Sequence, residues 1–202
     1  MTTKSEVTKL PSATLHEAAG RTGALPSRIR PAYPGAKLAG PAYPVICASG
    51  DNLWLHRAVY QASPGDVLVV APTDDVDYGY WGEILSEAAI ARGLGGLVID
   101  GGVRDTGLLA AAGFPVFSSS ICIRGTVKNP AAPGGTPSAV TLGEVRVSRG
   151  DLIVGDADGV VCVDREDIDS VMTAAVEREA KEEHIIQAIR AGQSTLDLFG
   201  LR

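Results

Sequence analysis

One stretch in the middle of the chain, residues 82–105, constrains the fold more than any other. Its pattern predicts a turn, an amphipathic helix, a glycine-rich connection, a short Gly-Leu-Val-Ile strand and a second turn. A short apolar run between glycines indicates a strand that is covered on both faces. Because the strand runs back along the helix, both turns lie at one end, and Glu83 is predicted to lie beside Arg104 and Asp105. The apolar side of this helix is predicted to hold Ile84, Leu85, Ala88, Ala89 and Leu94.

The length and the order of elements predict a single α/β domain over residues 1–202. At least four apolar strands are separated by short helices and followed by a β-rich segment. A long helix is predicted over residues 165–191, ended by a glycine. Residues 1–10 are expected to form a loose arm ahead of the domain.

Capping residues predict where two of the shorter helices begin. Ser12 or Thr14 is expected to cap a first helix, because hydroxyl side chains accept hydrogen bonds from free helical N–H groups. Asp51 is expected to cap a helix over residues 53–61 in the same way.

Prolines and glycines predict the irregular segments. Residues 25–44 are expected to be irregular, because proline blocks both a helix and a central strand. Residues 129–137 hold three prolines and two glycines and predict a surface loop. Residues 150–163 predict a hairpin whose turn is Asp-Ala-Asp-Gly.

Composition excludes several classes of function. A net charge of -6 and the lack of any Lys/Arg run argue against nucleic-acid binding. No apolar segment approaches the ~18 to 20 residues that span a bilayer, and no signal-peptide pattern follows Met1, so a cytoplasmic protein without a membrane partner is expected. Cys47, Cys122 and Cys162 lie in apolar runs without CxxC spacing, which predicts buried, reduced thiols.

The Glu83 and Arg104-Asp105 combination suits a 2-oxo acid bound to a hard divalent cation. Mg²⁺ prefers oxygen ligands, typically one or two carboxylates with waters and substrate oxygens. Asp105 would supply one oxygen, Glu83 would bind directly or through water, and Arg104 would donate to a substrate carboxylate or enolate oxygen. The main-chain N–H groups of Ile84 and Leu85, at a helix N-terminus, would hold the substrate carboxylate. The simpler alternative for Arg104-Asp105 is a surface ion pair or a cap.

Other catalytic schemes fit the sequence less well. The histidines His16, His56 and His184 lie on different predicted helices without HxxxH or HExxH spacing, which argues against a zinc site. No GxSxG nucleophile motif occurs. The three aspartates of residues 73–77 are interpreted as a solvated loop, since nothing fixes their geometry for a cation.

These residues resemble the signature of the RraA-like family, which includes the class II 4-hydroxy-4-methyl-2-oxoglutarate / 4-carboxy-4-hydroxy-2-oxoadipate aldolases. The resemblance rests on Gly-Glu-Ile-Leu at 82–85 and Asp-Gly-Gly-Val-Arg-Asp at 100–105. It extends over nearly the whole chain, through Gly-Asp-Asn at 50–52 and Arg-Gly-Asp at 149–151. It implies an αββα sandwich resembling the swivelling phosphohistidine-domain-like fold, assembled as a homotrimer or hexamer with the site between subunits.

The resemblance also implies roles for individual residues. Asp105 would hold Mg²⁺ or Mn²⁺, Arg104 would contact the substrate, and Gly82 to Leu85 would bind the substrate carboxylate through the main chain. Aldolases of the family usually have aspartate where this chain has Glu83. The extra methylene would displace a metal-bound water and alter the substrate that is accepted.

A glutamate from the C-terminal helix of a neighbouring subunit is a further implied component of the site. Glu179 and Glu182 match it by position. The alternative is that the apolar stripe of this helix rotates to Val176, Ala180 and Ile185, which would leave both glutamates solvated.

The activity that the resemblance implies is that of a class II aldolase. It would cleave a 4-hydroxy-2-oxo diacid to pyruvate and a second 2-oxo acid, with Arg104 and Glu83 as catalytic residues and oxaloacetate decarboxylation as a side activity. One alternative is a non-catalytic RraA-type regulator of ribonuclease activity that acts by protein-protein contact, and another is the same scaffold recruited for a different enolate reaction. The RNase E inhibitor branch tends to have glycine at position 83 and acidic residues after the Arg-Asp pair, where this chain has Thr-Gly-Leu-Leu at 106–109, so the enzyme is favoured.

Overall fold

The computed structural model describes residues 10–74 and 76–202, so the predicted loose arm lies outside the described residues except for Leu10. The helices are α1 (Ser12–Ala18), α2 (Leu53–Gln61), α3 (Glu83–Ala91), α4 (Thr106–Ala112), α5 (Ile168–Arg190) and α6 (Thr195–Leu198). The strands are β1 (Arg30–Pro31), β2 (Leu38–Cys47), β3 (Val67–Pro72), β4 (Gly96–Val103), β5 (Val116–Ile121), β6 (Gly134–Gly135), β7 (Ala139–Leu142), β8 (Val145–Ser148), β9 (Leu152–Asp156) and β10 (Gly159–Val163). Within the described ranges, no helix is both long and apolar enough to cross a bilayer.

The main sheet follows the order β1-β5-β4-β3-β2-β9-β10 and curls back on itself. Strands β2 to β5 are parallel, whereas β9, β10 and β1 pair antiparallel with their neighbours. The first half of β2 pairs with β9 and the second half with β3, so β2 joins the two layers. The main chain of Leu25 donates to Val160 at 2.9 Å, and Cys162 donates to Gly23 at 2.8 Å, which nearly closes the curl.

Three apolar clusters separate four layers. One cluster, which includes Trp81, lies between helices α2 to α4 and the parallel strands. A second, which includes Phe117, fills the space between the two halves of the curled sheet and also packs against the β7-β8 pair. A third, which includes Met172, lies between β9-β10 and helices α1 and α5. The layers therefore follow the order α, β, β, α, and the prediction of an αββα sandwich is confirmed.

The prediction of an irregular segment over residues 25–44 is wrong for residues 38–44, because β2 runs through Pro41 and Pro44. Residues 25–37 are irregular apart from the two-residue strand β1. Ala42 donates its N–H to Asp151 in the turn before β9, so even-numbered N–H groups of β2 point towards β9 and odd-numbered ones towards β3. An N–H at position 44 would face β9, but the pairing with β9 ends at Pro41. An N–H at position 41 would face β3, but the pairing with β3 begins at Ala42. Neither proline removes a hydrogen bond from the sheet, which is why both are tolerated.

The predicted cap of α1 is also wrong. The helix begins after Pro11, and no side chain caps it locally. Ser12 instead donates its N–H to Asp156 Oδ2 at 2.8 Å and its hydroxyl to Oδ1 at 2.6 Å. This acceptor lies 144 residues along the chain, so local capping rules cannot identify it. The prediction for α2 holds only in part, because the N-cap residue is Asn52 and its side chain makes no capping hydrogen bond. Asp51, one residue earlier, accepts from the Leu53 N–H at 2.8 Å through Oδ1.

Loss of the Asp156 carboxylate is expected to destabilise the fold in a pH-dependent manner. Partial burial raises the pKa of Asp156. Hydrogen bonds from Ser12 and from the Asp158 N–H lower that pKa by more than burial raises it, so the net pKa lies below the ordinary 3.8. A lowered pKa contributes stability that is complete above the unfolded-state value and is lost as pH falls through the folded-state value. Asp156→Asn should therefore cost about 1 kcal/mol of unfolding free energy at pH 7, because the carboxylate is partly solvated.

Urea unfolding at several pH values measures this effect. The difference between wild type and Asp156→Asn should shrink as pH is lowered below about 3.8. Asp158→Asn is the matched control, because the side chain of this exposed neighbour makes no hydrogen bond within the described ranges. A constant difference across the whole pH range would contradict the assigned role of the carboxylate.

The three thiols only partly follow the sequence prediction. All three are free; Cys47 and Cys162 are buried, and burial raises the pKa of each to about 12. Cys122 is only half-buried, so the prediction is wrong for this residue. It follows β5 at the end of the sheet, where one side of the chain faces solvent.

The remaining segments follow the sequence prediction with small changes. The hairpin over residues 150–163 forms from β9 and β10, and the long C-terminal helix forms as α5. The loop over residues 129–137 is irregular except for Gly134–Gly135, which pairs with the end of β2 as β6.

Candidate active site

The site lies where the parallel strands end. Arg104 and Asp105 follow β4 directly and lead into α4, while Glu83 is the first residue of α3. Trp81 and Val103 form a parallel bridge, and Arg104 donates its N–H to the Trp81 carbonyl at 2.9 Å. This pairing brings together the two turns that the sequence predicts to be adjacent.

Asp105 connects these two turns. Its Oδ2 accepts from the main-chain N–H of Glu83 at 3.2 Å and lies 3.7 Å from Nε of Arg104. Its backbone is left-handed, with φ of 59°, a conformation in which aspartate is enriched. The side chain is about one-third exposed. Its Oδ1 makes no hydrogen bond to any residue in the ranges 10–74 and 76–202, so one oxygen is left for a ligand.

Two glycines make room for the Arg104 side chain. A Cβ at Gly82 would lie 2.3 Å from Asp105 Oδ2 and 3.2 Å from Arg104 Cγ. A Cβ at Gly79 would lie 2.5 Å from the Cys122 carbonyl oxygen and 3.2 Å from Arg104 Cδ. The aliphatic part of Arg104 therefore lies in a slot that only glycine leaves open at both positions.

The N-terminus of α3 is exposed towards the same region. The Glu83 side chain is exposed and makes no hydrogen bond or ion pair to the described residues. Ile84 and Leu85 likewise find no acceptor for their main-chain N–H groups in the described part of the chain. Ile84 was predicted to face the core, which is wrong: its side chain is 76% exposed because it lies in the first turn, whereas Leu85 and Ala89 are buried against the sheet.

The two candidate glutamates of α5 lie elsewhere in this chain. Glu179 accepts a hydrogen bond from the Thr14 hydroxyl at 2.7 Å, and Glu182 pairs with Arg178 at 2.8 Å. Glu179 links α5 to α1, whereas Glu182 pairs within α5, and neither makes a hydrogen bond or ion pair with the residues around Asp105. Their predicted position in a neighbouring subunit's site stays a prediction. The alternative stripe is wrong, because Val176 and Ala180 are exposed.

Two polar side chains that the motif alone did not single out contact residues 78–80, the segment that leads into the Trp81 turn. Asn52 donates from Nδ2 to the Tyr80 carbonyl at 2.9 Å, while its buried Oδ1 has no partner among the described residues. Arg124 stacks over the ring of Tyr78, with 4.0 Å between its Cζ and the ring centroid. The order of elements could have identified Arg124, because it follows β5, and parallel neighbouring strands end at the same edge of a sheet.

The donor set fits a hard divalent cation. In residues 10–74 and 76–202, no group of three or more His, Cys, Asp or Glu side chains could hold a metal ion. Mg²⁺ does not need such a cage, because one or two carboxylates with waters and substrate oxygens suffice. Asp105, with an Oδ1 that makes no hydrogen bond to the described residues and with Glu83 beside it, meets that requirement.

Comparison with known proteins gives consistent matches. The RraA-like family profile, described as Aldolase/RraA, matches residues 10–162. A Halalkalibacterium halodurans protein named "Putative 4-hydroxy-4-methyl-2-oxoglutarate aldolase" is 34% identical over 180 residues, which covers 89% of this chain and 85% of that protein.

Solved structures show the same architecture. An uncharacterized protein from Pseudomonas syringae has a TM-score of 0.80 and 27% identity, covering 95% of this chain and 93% of its own. Streptomyces coelicolor RraAS2, described as an unusual member of the RNase ES inhibitor RraA protein family, has a TM-score of 0.75 and 25% identity, covering 90% and 93%.

Proposed function

Because this chain belongs to the RraA-like family, we propose that it is a divalent-metal-dependent lyase of the aldolase type. Its substrate would be a 4-hydroxy-2-oxo diacid, and its products pyruvate and a second 2-oxo acid. The observation that carries this proposal is the position of the Asp105 carboxylate, 3.2 Å from the N-terminal amide of α3 and 3.7 Å from the Arg104 guanidinium. The name of the Halalkalibacterium halodurans relative supports the aldolase class.

Substrate binding in this proposal uses two main-chain N–H groups that have no acceptor among the described residues, together with the Arg104 guanidinium. The N–H groups of Ile84 and Leu85 donate to the C1 carboxylate of the substrate, since a helix N-terminus favours an anion. The aliphatic part of Arg104 is held beside Gly79 and Gly82, and its planar guanidinium donates to the C2 oxygen. Mg²⁺ or Mn²⁺ held by Asp105 would supply Lewis-acid polarisation of the C2 keto group.

The chain's own residues then support bond cleavage. The C4 hydroxyl proton passes to a water or a carboxylate, C4 becomes the carbonyl of the departing 2-oxo acid, and the C3–C4 bonding pair moves towards the C2 oxygen. Arg104 stabilises the negative charge that develops there, because its donors are already in place. A water held near Glu83 and Arg104 then returns a proton to C3, and pyruvate results.

Pyruvate release from oxaloacetate is the direct test of this proposal. Loss of CO₂ from oxaloacetate leaves the same charge on the C2 oxygen, so we expect the purified protein with Mg²⁺ to catalyse it as a side activity. The reaction is followed by coupling to lactate dehydrogenase and NADH. EDTA should abolish the catalysed rate and excess Mg²⁺ should restore it. A rate equal to that of oxaloacetate with Mg²⁺ and no protein would contradict the proposal.

A regulatory role is the second candidate, favoured by the structural likeness to Streptomyces coelicolor RraAS2. In that case the protein would bind a ribonuclease without metal, and Asp105→Ala would leave binding unchanged. A third candidate is another enolate reaction on the same scaffold. In that case the protein would be active on oxaloacetate but would not cleave a 4-hydroxy-2-oxo diacid.

Assembly as a homotrimer or hexamer forms part of the proposal. Exposed apolar side chains on α5 and directly after α6, including Ile186, Ile189 and Phe199, support burial of this face in an oligomer. Light scattering after size-exclusion chromatography measures the mass of the assembly. We also place the protein in the cytoplasm, which the three free cysteines support.

A further inference from the structure

Asn52 lies outside the motif of Glu83 and Arg104-Asp105, yet its side chain is buried and only half satisfied. It is the N-cap residue of α2 and is 6% exposed. Asparagine at this position usually accepts from the N–H groups of its own helix, but Asn52 makes no capping hydrogen bond. Its Nδ2 donates to the Tyr80 carbonyl at 2.9 Å, whereas its Oδ1 has no partner among the described residues. A buried acceptor without a partner costs stability, so the amide requires an explanation other than helix capping.

The segment that contains this carbonyl, residues 78–82, extends the sheet beside the end of β4. Val103 of β4 pairs with Ile121 of β5 on one side and with Trp81 on the other. The pairing of β3 with β4 ends before this point, so the segment follows β4 on the side that β3 has left. Its position therefore determines where the chain enters α3.

The same segment leads directly into the candidate active site. Glu83 donates its main-chain N–H to Asp105 Oδ2 at 3.2 Å, and a Cβ at Gly82 would lie 2.3 Å from the same oxygen. The next two main-chain N–H groups of α3 are those that the proposed function assigns to the substrate carboxylate. A shift of residues 80–82 would therefore move these donors relative to the Asp105 carboxylate.

The β2–α2 turn, residues 50–52, is itself well fixed. Asp51 is 2% exposed and accepts from two main-chain N–H groups. The Gly50 N–H donates to the Tyr80 hydroxyl at 3.0 Å, so this turn binds Tyr80 through its side chain as well as through its main chain. Asn52 therefore stands on a fixed base and can determine the position of the Tyr80 carbonyl.

We propose that Asn52 is a positioning residue of the active site, which fixes the N-terminus of α3 against Asp105 through the Tyr80 carbonyl. It contacts neither metal nor substrate. The need for a side-chain N–H at this carbonyl explains why the amide is retained although its oxygen has no partner. The inference rests on the proposed lyase function for its kinetic tests but not for its structural test.

Asn52→Leu replaces the amide with an apolar group of similar size and tests the role in catalysis. We expect kcat/KM for oxaloacetate with Mg²⁺ to fall about 10- to 100-fold, since misplacement of a catalytic group by about 1 Å costs up to this much. The Mg²⁺ concentration that gives half of the maximal rate should stay within about twofold of wild type, because Asp105 belongs to the turn after β4, to which Asn52 donates no hydrogen bond. A general loss of structure would change both quantities.

Asn52→Asp keeps the shape of the side chain and makes the donor depend on pH. An ionised carboxylate cannot donate to the Tyr80 carbonyl, whereas a protonated carboxyl group donates one hydrogen bond. Burial and the neighbouring Asp51 carboxylate both favour the protonated form, so activity relative to wild type should rise about threefold or more between about pH 8 and about pH 6. The relative activity of Asn52→Leu should stay flat over the same range, and parallel profiles of the two variants would contradict the donor role.

Hydrogen exchange tests the position of the segment without any activity. In Asn52→Leu, and in Asn52→Asp at about pH 8, the amides of residues 80–85 should exchange about fivefold faster than in wild type, as loss of one buried hydrogen bond predicts. Asp156→Asn is the matched control, because it also loses hydrogen bonds of a partly buried side chain, but in the layer of α1. It should leave the exchange of residues 80–85 and kcat/KM unchanged.

The outcomes separate this inference from the proposed function. Exchange of residues 80–85 at the wild-type rate in both Asn52 variants would overturn the positioning role, whether or not the protein is active. Faster exchange with wild-type kcat/KM would also overturn it, because the segment would then have no effect on the reaction. A wild-type protein without metal-dependent activity would contradict the proposed function alone, and the exchange rates would still decide whether Asn52 fixes the N-terminus of α3.

Discussion

Asp105→Asn is expected to lower metal-dependent pyruvate release by about 10³-fold or more, because the metal's share of transition-state stabilisation amounts to several kcal/mol. The substitution removes the anionic ligand and keeps the shape of the side chain. The turn should survive, since asparagine also tolerates the left-handed conformation seen at this position, with φ of 59°. The Asp105 carbonyl, which accepts from the N–H groups of Leu108 and Leu109, is unaffected.

The measurement is the rate of oxaloacetate decarboxylation as a function of Mg²⁺ concentration, with thermal unfolding as the check on folding. Glu87→Gln is the matched control, because it also removes one exposed carboxylate, at a position in α3 one turn beyond Glu83. It should leave the rate within about twofold of wild type. Activity of Asp105→Asn close to that of wild type would show that Asp105 is not the metal ligand.

Gly82→Ala is expected to reduce activity by about 10²-fold, because misplacement of a catalytic group by about 1 Å costs that much. The added Cβ would lie 2.3 Å from Asp105 Oδ2 and 3.2 Å from Arg104 Cγ, so both side chains must move. Backbone strain does not contribute, since φ of -161° at Gly82 is extended backbone that alanine adopts readily. The loss therefore comes from crowding at the site.

The control for this prediction is Gly107→Ala, in which the added Cβ meets no atom within 4 Å. Gly107 lies in α4, two residues beyond Asp105, where alanine is the better helix former. This variant should be at least as stable as wild type and similarly active. Equal activity losses in Gly82→Ala and Gly107→Ala would indicate a general effect on the loops instead of a specific one on Asp105 and Arg104.

The adjacency of the two turns was predictable from the sequence because it follows from topology. A helix and the strand after it bring Glu83 and Arg104 to one end whatever the details of packing. The Trp81–Val103 bridge and the Glu83–Asp105 hydrogen bond show that adjacency in atomic terms. The roles of Glu83, Arg104 and Asp105 in catalysis stay predictions that the variants above would test.

Features that depend on distant partners were not predictable in this way. Ser12 finds its acceptor in Asp156, and Pro41 and Pro44 fit into β2 because the strand changes partners between them. Ile84 is exposed although it fits the helical apolar pattern, because the first turn of α3 lies beside the site. Each of these depends on which surface covers a residue, and a local pattern does not contain that information.

Co-crystallisation with Mg²⁺ and oxalate tests the central claim most directly, because oxalate is a planar mimic of the pyruvate enolate. The account predicts a metal ion bound to Asp105 and chelated by oxalate, with Arg104 donating to one oxalate oxygen. The N–H groups of Ile84 and Leu85 should donate to the carboxylate at the other end of oxalate. A metal ion and oxalate bound away from Asp105 would contradict the account, as would an Arg104 side chain turned away from the bound oxalate.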